Sequence, residues 1–152
     1  MRQNGYGIML AKEIQVKHLK HWKWLSVLKT DIFNRAVPWS NLILETKTMP
    51  RDMNLRMRDR VSTALTGLLF ISALILVLEL IGVLRMVLFA RVALFALIIT
   101  AALIILNRDV YGFFLRKRGL GFTLFAIPMH LFYYLYSGAS FAVCWIKKRF
   151  SG

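Results

Sequence analysis

The stretch VSTALTGLLFISALILVLELIGV, from Val61 to Val83, decides the fold because it is a long apolar run with a single charged residue. About 20 residues at about 1.5 Å each cover the roughly 30 Å hydrocarbon core of a bilayer. Two later runs, Met86–Leu106 and about Gly121–Ile146, meet the same criterion. None of the three shows the polar stripe of a helix from the core of a soluble protein. The sequence therefore predicts an all-α membrane protein with three transmembrane helices.

The basic residues are separated from the apolar ones along the chain. Of 152 residues, 58% are hydrophobic, and the formal net charge is +14. More than half of the 21 Lys and Arg precede Val61, whereas a nucleic-acid-binding domain would spread them over one folded surface. We expect two parts, a basic arm over residues 1–60 and a three-span domain over 61–149. The predicted partners of the arm are the bilayer, its anionic lipids and other membrane proteins, not nucleic acid.

The arm has its own local pattern. Glu13–Leu19 alternates apolar and polar side chains, as a short strand does, and apolar residues recur at helical spacing from His21 to about Arg35. Lysines surround this second stretch, which predicts an amphipathic helix lying in the headgroup layer. We expect Pro38 to end that helix, and Trp39 to anchor the chain at the interface. Asp31 and Arg35 lie four residues apart and are placed to form an ion pair.

A second interfacial segment is predicted between the second and third spans, over residues 107–119. Arg108–Lys117 has the pattern of a surface helix with aromatic residues on one side. The run Arg116, Lys117 and Arg118 suits a lipid phosphate, because guanidinium groups bind phosphate through paired hydrogen bonds. The same run is equally well explained as a topology signal, and the two interpretations are compatible.

Two charges fall inside the predicted spans. Glu79 and Arg91 each lie six residues from Arg85, where the chain is expected to reverse, so they are placed to face each other across the hairpin. Charges in a bilayer are costly and often mark an ion or substrate path. The simpler interpretation, which we favour, is that the two pair with each other or extend toward the nearby interface.

His130 and Cys144 lie in the third span. We expect His130 to have a structural role, with its N–H bound to a backbone carbonyl freed by Pro128, rather than a role as proton relay or metal ligand. Cys144 is the only cysteine and is flanked by apolar residues, so we expect a buried or lipid-facing side chain. Neither residue indicates a metal or a cofactor.

The loop charges predict an orientation. With three spans, the arm and residues 107–119 lie on the same side of the membrane, and that side carries most of the basic residues. The positive-inside rule then places the N-terminus in the cytoplasm, although Lys147, Lys148 and Arg149 on the other side oppose it.

Four segments carry a resemblance to a known family. They are HLKHWKWLSVLKTDIFNRAVPWSNLIL (His18–Leu44), DMNL (Asp52–Leu55), NRDVYGFFLRKRG (Asn107–Gly119) and IPMHLFYYLYSG (Ile127–Gly138). In this order they resemble the C-terminal membrane portion of bacterial family 2 glycosyltransferases. The resemblance implies a location in the bacterial cytoplasmic (inner) membrane. It also implies a membrane-surface role near an acceptor lipid for Arg35 and Trp39, which match the family's RAVPW segment.

The chain departs from that family where catalysis occurs. Family members hold a nucleotide sugar through a metal bound to an Asp-x-Asp element, and this sequence has no such element, because Asp52 and Asp59 are too far apart. No catalytic residue is carried over, and we do not expect an enzyme. Two hypotheses remain. The first is a non-catalytic accessory or scaffold subunit of a larger membrane complex. The second is the membrane half of a split glycosyltransferase that positions a lipid-phosphate acceptor for a separately encoded catalytic chain.

Overall fold

The computed structural model describes residues 23–47, 56–82 and 88–150, and every regular element in these ranges is helical. The elements are α1 (Trp24–Asp31), a π-helical turn (Ile32–Ala36), α2 (Val37–Thr46), α3 (Met57–Leu80), α4 (Phe89–Leu106) and α5 (Arg108–Phe150). The predicted all-α fold is confirmed. The strand predicted at Glu13–Leu19 lies outside the described residues.

Three helices, α3, α4 and α5, are long and apolar enough to cross a membrane, with mean hydropathies of 2.4, 2.6 and 1.2 in their most apolar windows. This agrees with the three predicted spans. The first helix begins at Met57 rather than at Val61, because a helix continues past the edge of its apolar run into the charged residues beside it. The second is described from Phe89, and its predicted start at Met86 falls outside the described residues.

The third long helix, α5, is a helical hairpin. Gly119 has φ 80° and ψ 178°, a backbone conformation that glycine adopts without strain, and it separates residues 108–118 from 120–150. Phe114 contacts Phe122, with ring centroids 5.4 Å apart. The Tyr134 hydroxyl lies 3.0 Å from Oδ1 of Asn107, although a straight helix would set these residues about 40 Å apart. Residues 108–118 therefore fold back on 120–134, and the predicted surface segment is helical.

The arm helix does not end at Pro38, and that prediction is wrong. The helix runs from Trp24 to Thr46, and the π-helical turn before Pro38 widens it, with the Val37 N–H donating to the Ile32 carbonyl five residues back. Pro38 then lies in the first turn of α2, where a missing N–H is tolerated best. The helix ends where Lys47 adopts the left-handed conformation, with φ 50°.

The arm helix packs along α5, and both run in the same direction. The Tyr136 hydroxyl donates to Oδ2 of Asp31 at 3.0 Å, and further along Nζ of Lys148 donates to the Leu44 carbonyl at 2.8 Å. These two bonds fix the side-by-side arrangement at two levels about 20 Å apart. The arm is thus joined to the three long helices.

Helix α3 packs against both α4 and α5. Gly138 of α5 approaches α3 so closely that an added Cβ would lie 2.7 Å from Cγ2 of Thr63. Since Asp59 bonds to Tyr134 and Thr63 faces Gly138, α3 and α5 run in the same direction. Residues 120–133 of α5 therefore extend about 20 Å beyond the start of α3, on the side where the hairpin lies.

Candidate polar site at the start of α3

Asn107 is the centre of a buried hydrogen-bond network that joins three helices. Its side chain has no solvent exposure. Its Nδ2 donates to Oγ of Ser62 at 3.1 Å and to the Leu103 carbonyl at 2.9 Å, and its Oδ1 accepts from the Tyr134 hydroxyl at 3.0 Å. This amide occupies the short junction between α4 and α5. It satisfies groups on α3, α4 and α5, as buried polar groups require.

Asp59 extends the network toward the surface. It is 8% exposed, and its Oδ1 lies 3.3 Å from the Tyr134 hydroxyl, whose single hydrogen is shared between this oxygen and Oδ1 of Asn107. Nε of Arg58 lies 3.7 Å from the same oxygen, which is close enough for attraction but too long for a hydrogen bond. Nη1 of Arg58 lies 3.5 Å from Oδ2 of Asp109, which is exposed. The carboxylate of Asp59 therefore has one hydrogen bond and one neighbouring cation.

His130 lies against the same network. Its Nδ1 is 3.2 Å from the Tyr111 hydroxyl, and its ring lies 4.5 Å, centroid to centroid, from that of Tyr134. The structural role of this histidine stays a prediction, and the partner of its Nδ1 is not the predicted one. The Nδ1 partner is a tyrosine of the folded-back segment, because the hairpin at Gly119 brings Tyr111 beside it, and not the carbonyl freed by Pro128.

An open cavity of about 430 Å³ lies at this end of α3. Its lining includes two arginines, one carboxylate and three aromatic side chains with polar atoms: Arg56, Arg58, Asp59, His130, Tyr133 and Tyr134. Nε of Arg58, one of these lining residues, is buried and has no hydrogen-bond partner in the part of the chain that the structure describes. With His130 neutral, the charged lining groups carry a net positive charge, so the cavity favours an anion.

The residues predicted to contact lipid phosphate lie in two separate places. Arg116, Lys117 and Arg118 are all exposed beside the tip of the hairpin. Arg35 is exposed and forms the predicted ion pair with Asp31, at 3.0 Å, and Trp39 is half exposed. The contacts of Asp31 with Tyr136 and of Phe114 with Phe122 are about 20 Å apart along α5, and Arg35 and Trp39 lie still farther from the hairpin tip because the arm helix runs in the direction of α5. They do not form one site.

The predicted pair of Glu79 and Arg91 is not formed. Glu79 is buried, and its Oε2 has no hydrogen-bond partner within residues 23–47, 56–82 and 88–150, whereas Arg91 is exposed. The expected turn at Arg85 lies outside the described residues, and equal distances from a turn do not set the rotation of the two helices about their axes. Cys144 is buried, which is one of the two positions expected from the apolar residues that flank it.

The sequence contained a signal for the polar site that our reading of α3 missed. Asp59, Ser62 and Thr66 are all buried, and their spacing of three and four residues places them on one face of α3. These three residues form a polar stripe on α3, although none of the three predicted spans was expected to have one. Tyr134 and His130 are four residues apart and share a face of α5 in the same way. The position of Asn107 between two helices had no such signal.

Comparison with protein-family models, with curated proteins and with solved structures found no match for this chain. The resemblance to family 2 glycosyltransferases therefore rests on the four segments alone. Two of them, Asn107–Gly119 and Ile127–Gly138, are the two sides of the α5 hairpin and supply Asn107, Tyr111, His130 and Tyr134 to the polar network.

Proposed function

We propose that this chain is a non-catalytic integral membrane subunit, a truncated glycosyltransferase-like protein that acts as an accessory or scaffold component of a larger complex in the bacterial inner membrane. The observation that carries the proposal is the surface of the arm helix that faces away from α5. Leu25 is 77% exposed and Phe33 is 62% exposed on this helix. Such exposure of large apolar side chains marks an interaction surface.

The composition of the arm helix favours a protein as its partner over lipid alone. Besides its apolar residues it carries Lys29, Arg35 and Glu45, which are costly to place in hydrocarbon. Mixed surfaces with aromatic and basic residues are typical of protein interfaces. We propose that this surface binds the juxtamembrane surface of another membrane subunit. The arm helix would then contact α5 on one side and that subunit on the other.

Site-specific photocrosslinking in native membranes tests this proposal. A benzophenone side chain is placed at Phe33 in one variant and at Leu97, which is 65% exposed on α4, in a control variant. We expect irradiation to join Phe33 to one protein of defined mass, and to leave the Leu97 variant joined to lipid alone. Attachment of Phe33 only to lipid, in cells that express the chain at its native level, would refute the accessory role.

The cavity at the start of α3 favours a second candidate, the membrane half of a split glycosyltransferase. Arg56, Arg58 and His130 line a space open to the surface, as a site that positions a lipid-phosphate acceptor requires. The protein crosslinked to Phe33 is purified with and without this chain and assayed for sugar transfer to a phosphate-bearing lipid. Transfer that depends on both chains would establish the split enzyme and replace the scaffold proposal. Transfer independent of this chain would exclude the split enzyme.

A further inference from the structure

The cavity at the start of α3 is formed by residues from two parts of the chain that are far apart in sequence. Arg56, Arg58 and Asp59 come from the beginning of α3, and His130, Tyr133 and Tyr134 come from α5. The buried hydrogen bonds of Asn107 and Tyr134 hold the two helices together beneath it. The cavity is therefore a part of the packed structure and not a gap between loose side chains.

Its hydrogen-bonding capacity is incompletely used. Nε of Arg58 is buried and has no hydrogen-bond partner among the described residues. An unpaired buried donor is destabilising, and more so when it is charged, so a ligand that accepts from it is favoured. Arg56, at the first position before α3, offers no side-chain acceptor to the free N–H groups of the first turn, and these also favour an anion.

The neighbouring charged groups do not cancel the preference of the cavity for an anion. Asp59 lies in the cavity itself, but its Oδ1 accepts from the Tyr134 hydroxyl. Asp109 lies at the rim and is shared between Arg58, at 3.5 Å, and Arg108, at 3.9 Å. With Arg56, the cavity and its rim hold three cations, Arg56, Arg58 and Arg108, against two carboxylates, so cations outnumber carboxylates by one.

The depth of the cavity indicates the kind of anion. Arg56 and Arg58 precede the apolar run that starts at Val61, so they lie about 5–8 Å from its beginning along the helix. This is the level at which lipid headgroups meet a transmembrane helix. A volume of about 430 Å³ accommodates a phosphate group together with part of what it is attached to.

We propose that this cavity binds a phosphate monoester or diester at the membrane surface, with Arg58 and Arg56 as the phosphate-binding side chains. This site is distinct from the exposed basic run Arg116–Arg118 and from Arg35. It does not depend on a protein partner, so it holds or fails separately from the accessory role.

Native mass spectrometry of the delipidated full-length chain in detergent tests the site. Dioleoyl phosphatidic acid is titrated as the probe, and dioleoylglycerol serves as the lipid without phosphate. We expect one phosphatidic acid to bind and dioleoylglycerol not to bind. Equal binding of the two lipids would overturn the proposal.

Substitutions locate the binding. Arg58→Gln is expected to weaken phosphatidic acid binding at least tenfold, because charge-assisted hydrogen bonds to phosphate are lost. The matched control is Arg60→Gln, on the same turn of α3 but outside the cavity lining, with an expected change below twofold. Equal weakening by both variants would show general attraction to basic residues and would overturn the site.

A variant that is expected to strengthen phosphatidic acid binding controls for a loss of binding caused by misfolding. Asp59→Asn removes a negative charge from the cavity but keeps an oxygen that can accept from Tyr134. We expect it to strengthen phosphatidic acid binding about threefold, and unchanged or weaker binding would contradict the proposal. Inorganic phosphate is added as a competitor in a separate arm. Displacement supports a soluble phosphate compound as ligand, and retention of phosphatidic acid supports a lipid headgroup.

Discussion

The two ends of α3 bury one carboxylate each, and they do so differently. At the start, Asp59 accepts from Tyr134, lies 3.7 Å from Nε of Arg58 and adjoins the network of Asn107. At the other end, Glu79 is 2% exposed, and no described residue forms a hydrogen bond with its Oε2. Burial of a charge without compensation is unfavourable. The comparison teaches that burial of an acidic residue in a membrane helix does not by itself define a site, whereas partners from other helices do.

The largest effect is expected when the network at the start of α3 is broken. Asn107→Ala removes the side chain that bonds to Ser62, Leu103 and Tyr134. Hydrogen bonds between membrane helices contribute about 0.6 kcal/mol on average, so the loss of three, with buried groups left unpaired, costs about 2 kcal/mol. Reversible unfolding in mixed micelles, followed by circular dichroism, measures this.

The control for this substitution is Asn34→Ala on the exposed surface of the arm helix. We expect its free energy of unfolding to stay within about 0.5 kcal/mol of the original protein. If Asn107→Ala cost no more than this control, the network would not hold the helices together. The distinction between the two ends of α3 would then be lost.

A somewhat smaller effect is expected at the contact between α3 and α5 near the network. Gly138→Ala places a Cβ 2.7 Å from Cγ2 of Thr63, so the helices must move apart, at a cost of about 1.5 kcal/mol in the free energy of unfolding. Adding Thr63→Ser removes the opposing methyl group and should recover most of the loss. Gly121→Ala, with no atom within 4 Å of the new Cβ, is the control and should not destabilise. Absence of recovery in the double variant would mean that the contact is not the cause.

The difference between the two ends also shows what the sequence could and could not predict. The length and apolarity of Val61–Val83 predict a spanning helix, because those properties are local. The meeting of Asn107 with Tyr134 depends on a reversal at Gly119, and nothing near either residue indicates how sharply the chain turns there. A 13-residue segment was predicted as an interfacial connection, but its return along α5 required the positive φ of one glycine.

The same reason explains the failure at Glu79. Its predicted partner Arg91 was chosen by counting residues from a turn, which sets depth but not the rotation of each helix about its axis. At Pro38 a local rule failed. Proline often ends a helix, but this helix continues because a π-helical turn precedes the proline. Local rules predicted the elements, and long-range packing decided their contacts.

Substitution of Glu79 is expected to raise the free energy of unfolding, whereas the two preceding substitutions lower it. Glu79→Met replaces a buried group that lacks a partner at Oε2 by an apolar side chain of similar length, and we expect the free energy of unfolding to rise by about 1 kcal/mol. Glu45→Met, at an exposed position of the arm, is the control, with an expected change near zero. The measurement is the same mixed-micelle unfolding. A loss of stability in the Glu79 variant would show that the residue has a stabilising partner, and the contrast with Asp59 would be wrong.

The smallest effect is expected where the arm joins α5. Tyr136→Phe removes one hydrogen bond to Oδ2 of Asp31, while Arg35 still pairs with Oδ1, so the arm should loosen by only about 0.5 kcal/mol. This corresponds to about twofold faster hydrogen exchange in the arm helix, measured by mass spectrometry in detergent, with no change in α4. Faster exchange throughout all helices would place Tyr136 in the same cooperative unit as Asn107. A change confined to Trp24–Thr46 would instead show that the arm opens independently of the network at the start of α3.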